Sequence, residues 1–341
     1  MLNDYELQQQ ICNLAAANGF TAAVPDTLSL LAMGGSDRRF YRVVSEKTSC
    51  IAMVSPASSD EQLAWIDINR FLHSCSIGVP NIYAQDDVRH IMLVEDAGDV
   101  SLYQALNAEQ DRKTKLELYK QALGILAEMQ VHATPNMQSC TCLCNRRFDY
   151  AAFRAETDYF IRSFLQEYCK TKTPPALTDE FHQLALTLSA EPPEFMHRDF
   201  QSQNIHLIGD QIKIIDFQSA TAGPPHYDLV SLLKDAYVVI SEAERNLLIE
   251  YYLEVRSRLG SPVDNPVAFT RTFHLCGLQR NMQALAAFSF LGTHKKKTHF
   301  YAHIPTAIGY LTEALNSITD YPCQSASIAT IRDILPNATE P

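Results

Sequence analysis

Residues 197–204 read HRDFQSQN, and residues 212–218 read IKIIDFQ. The first stretch sets an acid, Asp199, five positions before an amide, Asn204. The second ends an apolar run on a lone carboxylate, Asp216. Between them IHLIGDQIKIID reads as a strand, a Gly209-Asp210 turn and a returning strand, a hairpin able to bring Asp216 back toward Asn204. Phosphoryl transfer to a hydroxyl needs an aligned acceptor that loses a proton, and a polyphosphate whose charge is neutralised, usually by magnesium. Magnesium is a hard ion that takes oxygen ligands. Asp199 can orient and deprotonate the hydroxyl, and the Asn204 amide oxygen and Asp216 can hold the metal. Each residue alone has a plainer reading. An Asp before a strand caps a turn, and Asn204 by itself would be a turn residue. The combination, Asp then Asn five on and then an apolar hairpin ending in Asp-Phe, is rare by chance.

The rest of the chain narrows the setting. Its 341 residues suffice for two ordinary domains or one bilobal unit. Hydrophobic residues make up 46% and charged residues 20%, a globular composition. A net charge of -11 argues against a generic nucleic-acid binder. No apolar run reaches the roughly 18 residues that span a bilayer, so no membrane partner is expected. The opening MLNDYELQQQ lacks a basic start and an apolar core, unlike a signal peptide. Nine scattered cysteines suit reduced thiols, and a cytoplasmic location is expected. Cys140, Cys142 and Cys144 cluster as CTCLC. Their one-residue spacers and the missing fourth ligand fit a cysteine-rich loop better than zinc.

Periodicity predicts a helix over 4–18, strands at 30–32, 40–44 and 50–55, and a turn at 33–37. A helix over 60–75 follows, with Leu63, Ile66, Phe71 and Leu72 on its apolar side, then strands in NIYAQD (81–86) and HIMLVED (90–96). After EDAGDVSLYQAL the pattern is helical over 113–132, 148–168 and 179–188, and again from the hairpin to about 315. The stretch from Tyr321 carries weak signals. A small sheet lobe, residues 1–97, followed by a larger helical lobe, 98–341, is an α+β arrangement. A nucleotide cleft between lobes would be a natural ligand site.

HRDFQSQN with IIDFQ resembles the catalytic and metal motifs of the protein-kinase-like fold, and more closely those of the aminoglycoside phosphotransferase superfamily of small-molecule kinases. The resemblance implies a bilobal fold with a small antiparallel-sheet N-lobe. It also implies ATP and Mg2+ as cofactors, Asp199 as base, and Asn204 and Asp216 as metal ligands. Gln218 stands where glycine or aspartate usually follows DF. GPPHYDLVSLLKDAY (223–237) also resembles the family, which implies that Asp228 braces the catalytic loop and that His197 packs beneath it. GGSDRRFYRV (34–43), MLVEDAGD (92–99) and LQRNMQALAAFSFLG (278–292) look like one bacterial branch, whose members phosphorylate the anomeric hydroxyl of N-acetylmuramate and N-acetylglucosamine in cell-wall recycling. The resemblance runs from about residue 5 to about 315.

On the nucleotide side, kinases usually carry a lysine on the third strand, paired with a helix glutamate. Here Met53 takes that position, which puts the pair and any role for Glu61 in doubt. The turn around Gly35 and Ser36 can cover phosphates with backbone N–H groups, though a plain hairpin turn reads as well. Arg38, Arg39 or Arg42 could replace the lysine's charge, with Arg39 and Arg42 taken as nucleotide-binding. The backbone around Glu95 and Ala97 would meet the adenine edge. No GxxxxGK[ST] occurs, so a P-loop is excluded. Arg280 and Asn281, in the carboxylate-free GLQRNMQAL, are candidates for a neutral or acidic sugar rather than a polycation. Lys295 to Lys297 reads first as a solvated loop. Two rivals are a kinase of another small alcohol, such as an aminoglycoside or choline-like compound, and a nucleotide-binding regulator without turnover. The intact Asp199, Asn204 and Asp216 argue against the second, because a pure binder has no use for a base.

Overall fold

The computed structural model describes residues 4–20, 25, 28–31, 38–45, 48–55, 60–209 and 211–318. The chain is α+β and divides into two compact units, Met1–Val100 with His206–Gln218, and Ser101–Ile205 with Ser219–Pro341. The expected division fell at 97/98 and left the hairpin with the helices. The structure groups the hairpin with the first hundred residues.

The first unit holds α1 (Asp4–Ala17), β1 (Ser29–Leu30), β2 (Arg39–Val44), β3 (Ser49–Val54), α2 (Asp60–Ser74), β4 (Ile82–Asp86) and β5 (Ile91–Glu95). The strands form one antiparallel sheet in the order β1-β2-β3-β5-β4. Side chains alternate across a pleated strand, so every second residue shares a face. Tyr41 and Val43 of β2, Cys50, Ala52 and Val54 of β3, and Ile91 and Leu93 of β5 make one face. They cluster with Leu7, Ile11 and Ala15 of α1. The opposite face of β2 carries Phe40 and Arg42, with Arg38 just before it. In α2 the buried stripe is Ala64, Trp65, Ile68, Phe71 and Leu72, at the three- and four-residue spacing of a helix face, joined by Ile66. Leu63, expected on that stripe, lies off its edge and is exposed.

The second unit holds α3 (Leu102–Ala108), α4 (Arg112–Ala133), α5 (Tyr150–Tyr159), α6 (Pro175–Ser189) and β6 (Glu194–Met196). In chain order the hairpin strands β7 (Ile205–Ile208) and β8 (Gln211–Ile214) come next, grouped from His206 on with the first unit. Then follow β9 (Thr221–Gly223), α7 (His226–Leu233), α8 (Glu242–Arg258), α9 (Pro266–Thr293) and α10 (Ile304–Ser317). The single helix expected over 148–168 is α5 running into a π-helical stretch, Phe160–Tyr168. The long α9 is buried along most of its length and packs against α5, α7 and α10. Short strands β6 and β9 pair antiparallel, which sets the end of β6 beside the start of the 197–204 loop.

The hairpin is tied into the first unit by backbone contacts. Ile214 donates its N–H to the Gly78 carbonyl at 2.8 Å. A Cβ at Gly78 would collide with the Ile212 carbonyl oxygen, so only glycine allows this approach. Gly209 in the turn has φ +57°, a left-handed conformation that glycine adopts without strain.

Candidate active site

In the second unit, the 197–204 loop hangs from two buried carboxylates. Asp228 on α7 accepts the His197 N–H at 2.7 Å through one oxygen and the Arg198 N–H at 2.9 Å through the other. Asp235 accepts both the N–H and the hydroxyl of Ser202, at 2.9 and 2.5 Å. Burial pushes the Asp228 carboxyl up to about 7, against the two N–H donors that favour its charged form. His197 is fully buried, and its Nδ1 accepts the Asp199 N–H at 3.2 Å. Arg198 has φ +78°, a costly conformation for a side-chain-bearing residue that persists only where its surroundings impose it. Its guanidinium lies 3.7 Å from Glu156 and over the Phe148 ring.

The loop presents Asp199 with its side chain 40% exposed. Asn204 lies nearby in a short 3-10 turn, Ser202–Asn204, and donates Nδ2 to the Asp199 carbonyl at 2.9 Å. That bond orients the amide and turns its Oδ1 into the available oxygen donor. Arg280 on α9 is buried, with Nη2 3.7 Å from Asp199 and Nε 3.1 Å from Ser231 Oγ. Asn281, also expected at the substrate, is buried with Nδ2 turned back to the Gly277 carbonyl. Both line a cavity of about 20 Å³ with Gln201, Asp235 and Tyr237. Gln279, from the same stretch, faces the core and donates to Phe153 O and Glu156.

In the first unit, Asp216 follows β8 with φ +63°, and its side chain is 45% exposed. Gln218 donates Nε2 to Asp216 at 2.7 Å and lies 3.4 Å from Glu61. Arg38, just before β2, places Nη2 2.9 Å from Glu61 and 3.8 Å from Asp216. Phe217 packs against Trp65 of α2, with ring centroids 5.1 Å apart. The doubted Glu61 therefore does have a cationic partner, and it comes from the residue just before β2 rather than from β3.

The other two arginines pair with other carboxylates. Arg39 pairs with Asp4 of α1 at 2.9 Å, because alternation along β2 turns it to the α1 face, away from the Arg38 side. Arg42 is committed to Asp96 at 2.7 Å and Asp99 at 2.6 Å. Burial alone would raise the Asp96 carboxyl, but Ser49 and Arg42 hold it below its ordinary value. The Glu95 N–H is also spent, donated to Asn81 O at 2.8 Å, and its carboxylate takes Lys213 Nζ at 2.9 Å. Ala97 is buried. Gly35 and Ser36 lie outside the described residues. Sequence reasoning missed Asp235 and Lys213. Asp235 lies seven positions after Asp228, two residues past the end of α7 at Leu233. Nothing local marks Lys213, whose partner is distant in sequence.

Residues 27–261 match the family model of the phosphotransferase enzyme family. The chain belongs to this family. It is an ATP-dependent phosphotransferase with an alcohol group as acceptor. An N-acetylmuramate/N-acetylglucosamine kinase of Pseudomonas putida is 24% identical over 91% of this phosphotransferase and 89% of its own length. One of Neisseria meningitidis is 25% identical over 83% and 84%. Among solved structures, an ADP-bound aminoglycoside phosphotransferase superposes with TM-score 0.59 at 16% identity, covering 92% of this chain and 97% of that one. A choline kinase of Streptococcus pneumoniae does so with TM-score 0.60 at 12% identity, covering 93% and 100%. The phosphotransferase has the protein-kinase-like fold of these structures.

In the first unit Asp216 offers an exposed carboxylate, and in the second Asn204 offers an amide oxygen; each is an oxygen donor of the kind a hard ion such as Mg2+ accepts. Among the described residues no group of three or more His, Cys, Asp or Glu is arranged to hold a metal, Cys140, Cys142 and Cys144 included. No described helix is long and apolar enough to cross a membrane.

Proposed function

We propose that this phosphotransferase is an ATP- and magnesium-dependent amino-sugar kinase, acting on the anomeric hydroxyl of N-acetylmuramate or N-acetylglucosamine. The observation that carries the reading is the pair of relatives named for those two sugars, which align with most of the chain. Asp199 takes the proton of the acceptor hydroxyl while its oxygen bonds to the γ-phosphorus and the bond from that phosphorus to the ADP oxygen breaks. Bound magnesium supplies charge neutralisation for the polyphosphate, and Asn204 and Asp216 are the residues that would hold it. Asp228 and Asp235 fix the loop, so that Asp199 meets the substrate without further ordering. Arg280, beside Asp199, gives the acceptor a cationic hydrogen-bond donor, which suits a neutral sugar or a carboxylate better than a polycationic aminoglycoside. The reaction belongs in the cytoplasm, where ATP is supplied.

The test is an ATP-consumption screen with mass detection of product, across both N-acetyl sugars, choline and kanamycin. A 1-phosphate of either sugar, with kanamycin inert, is the expected result. Efficient phosphorylation of kanamycin with no turnover of either sugar would overturn the reading.

A further inference from the structure

We propose that Arg38 is the residue that binds the nucleotide's phosphates, a role that rests on the ATP-dependent reading above. The first unit gathers one guanidinium and two carboxylates at the proposed metal ligand. Arg38 is buried, its side chain only 8% exposed, whereas those of Glu61 and Asp216 are 46% and 45% exposed. The cation therefore lies beneath the carboxylates, and the carboxylates open to solvent. The three groups sum to a charge of about -1, a deficit that a divalent cation reverses. Any phosphate oxygen sharing a magnesium ion with Asp216 lies within a few ångström of that carboxylate, since metal–oxygen bonds are about 2.1 Å. Arg38 Nη2 is 3.8 Å from the same carboxylate, which puts such an oxygen within its reach.

The chemistry of the side chain fits the task. A guanidinium is a planar fork with five N–H donors, so it can keep Glu61 on one edge and take a phosphate oxygen on another. In the structure Nη1 donates to Met53 Sδ at 3.6 Å. A thioether is a weak acceptor, and a phosphate oxygen competes with it effectively. Glu61 sits in the first turn of α2, where its charge also complements the helix dipole, and it pins the guanidinium from a fixed point. Arg38 thus joins the start of β2, α2 and the segment after β8 at one spot.

The test separates phosphate recognition from structure by comparing nucleotides that differ only in phosphate. Adenosine, ADP and Mg-ATP are titrated calorimetrically into the full chain without acceptor, for wild type, Arg38→Ala and Arg38→Lys. For Arg38→Ala the affinity for ADP and Mg-ATP should fall at least about tenfold, the loss expected for a charge-assisted hydrogen bond, with adenosine affinity unchanged. Arg38→Lys should recover part of the loss. Equal weakening for adenosine and the phosphorylated ligands would assign Arg38 a structural role and overturn the proposal. Unchanged Mg-ATP affinity in Arg38→Ala would overturn it as well, leaving the kinase reading intact. A wild-type chain that binds none of the three would remove both.

Discussion

Asp199, Asn204 and Asp228 show how much one side chain can decide. Asp199 presents a partly exposed carboxylate on a loop held by the buried carboxylates of Asp228 and Asp235, as the proposed acceptor-facing base requires. Asp199→Asn should keep the fold and nucleotide affinity but lower turnover at least about a hundredfold; near-normal steady-state rates would take Asp199 out of the mechanism. Asp228 never needs to touch a substrate to matter. Both its oxygens accept N–H groups from the loop, so Asp228→Asn would set an amide N–H against one of those donors. The cost should be about 1–3 kcal/mol, the range for leaving a buried donor unsatisfied. Thermal unfolding and turnover should fall together in that variant, with acceptor KM moving less than kcat.

At the level of elements, the β7–β8 hairpin is the lever that places Asp216. It is short, its two strands pair with each other, and its hold on the rest of the first unit includes Gly78, Val79 and Val100. Gly78→Ala should push β8 away from the 75–81 segment, because the added methyl meets backbone that cannot rotate aside. The expected loss is about 1–3 kcal/mol of stability, typical of overpacking. Nucleotide affinity should also become less sensitive to magnesium, which titration of Mg2+ against bound ATP would register. Unaltered magnesium dependence would mean that the hairpin does not set the position of Asp216. The elements themselves were largely readable. The strands at 40–44 and 50–55, the helix over 60–75 and the hairpin all declare themselves by period and turn chemistry. The π-helical stretch does not, because its residues have an ordinary helical pattern and its altered hydrogen-bond register arises where it packs against α9 and α5.

For the molecule as a whole, buried ionisable groups in the second unit set the pH response. His226 is buried against Phe269, and neither ring nitrogen has a hydrogen-bond partner among the described residues. Burial, with Arg256 adding repulsion, pulls its pKa down to about 3. The unfolded chain takes up this proton below about pH 6.5, while the folded chain resists until about 3, so stability is lost as pH falls through that window. Asp228 acts in the opposite sense. Its carboxyl, raised to about 7, stabilises the fold in acid, and that contribution fades as pH rises from about 4 to 7. Urea unfolding of wild type and His226→Phe at pH 7 and pH 5 isolates the histidine. The variant should lose less stability on acidification than wild type, and identical losses would show that His226 does not stay neutral in the fold.

The sequence by itself determined the chemistry and the class of fold, because both are written in local patterns. Asp199, Asn204 and Asp216 keep their spacing whatever the rest of the chain does, and the change from strand periods to helix periods near residue 100 is visible without coordinates. Tertiary structure alone decided which charges meet. Arg38, Arg39 and Arg42 are equivalent as letters, yet the pleat of β2 sends Arg39 to Asp4, and position along the strand gives Arg42 to Asp96 and Arg38 to Glu61 and Asp216. The same holds for Gln279 and Arg280, neighbours on α9 that face the core and Asp199 respectively. The physical reason is that an ion pair is a contact in space between residues far apart in the chain. Local periodicity reports which face a residue occupies only after a partner surface has fixed which face is which.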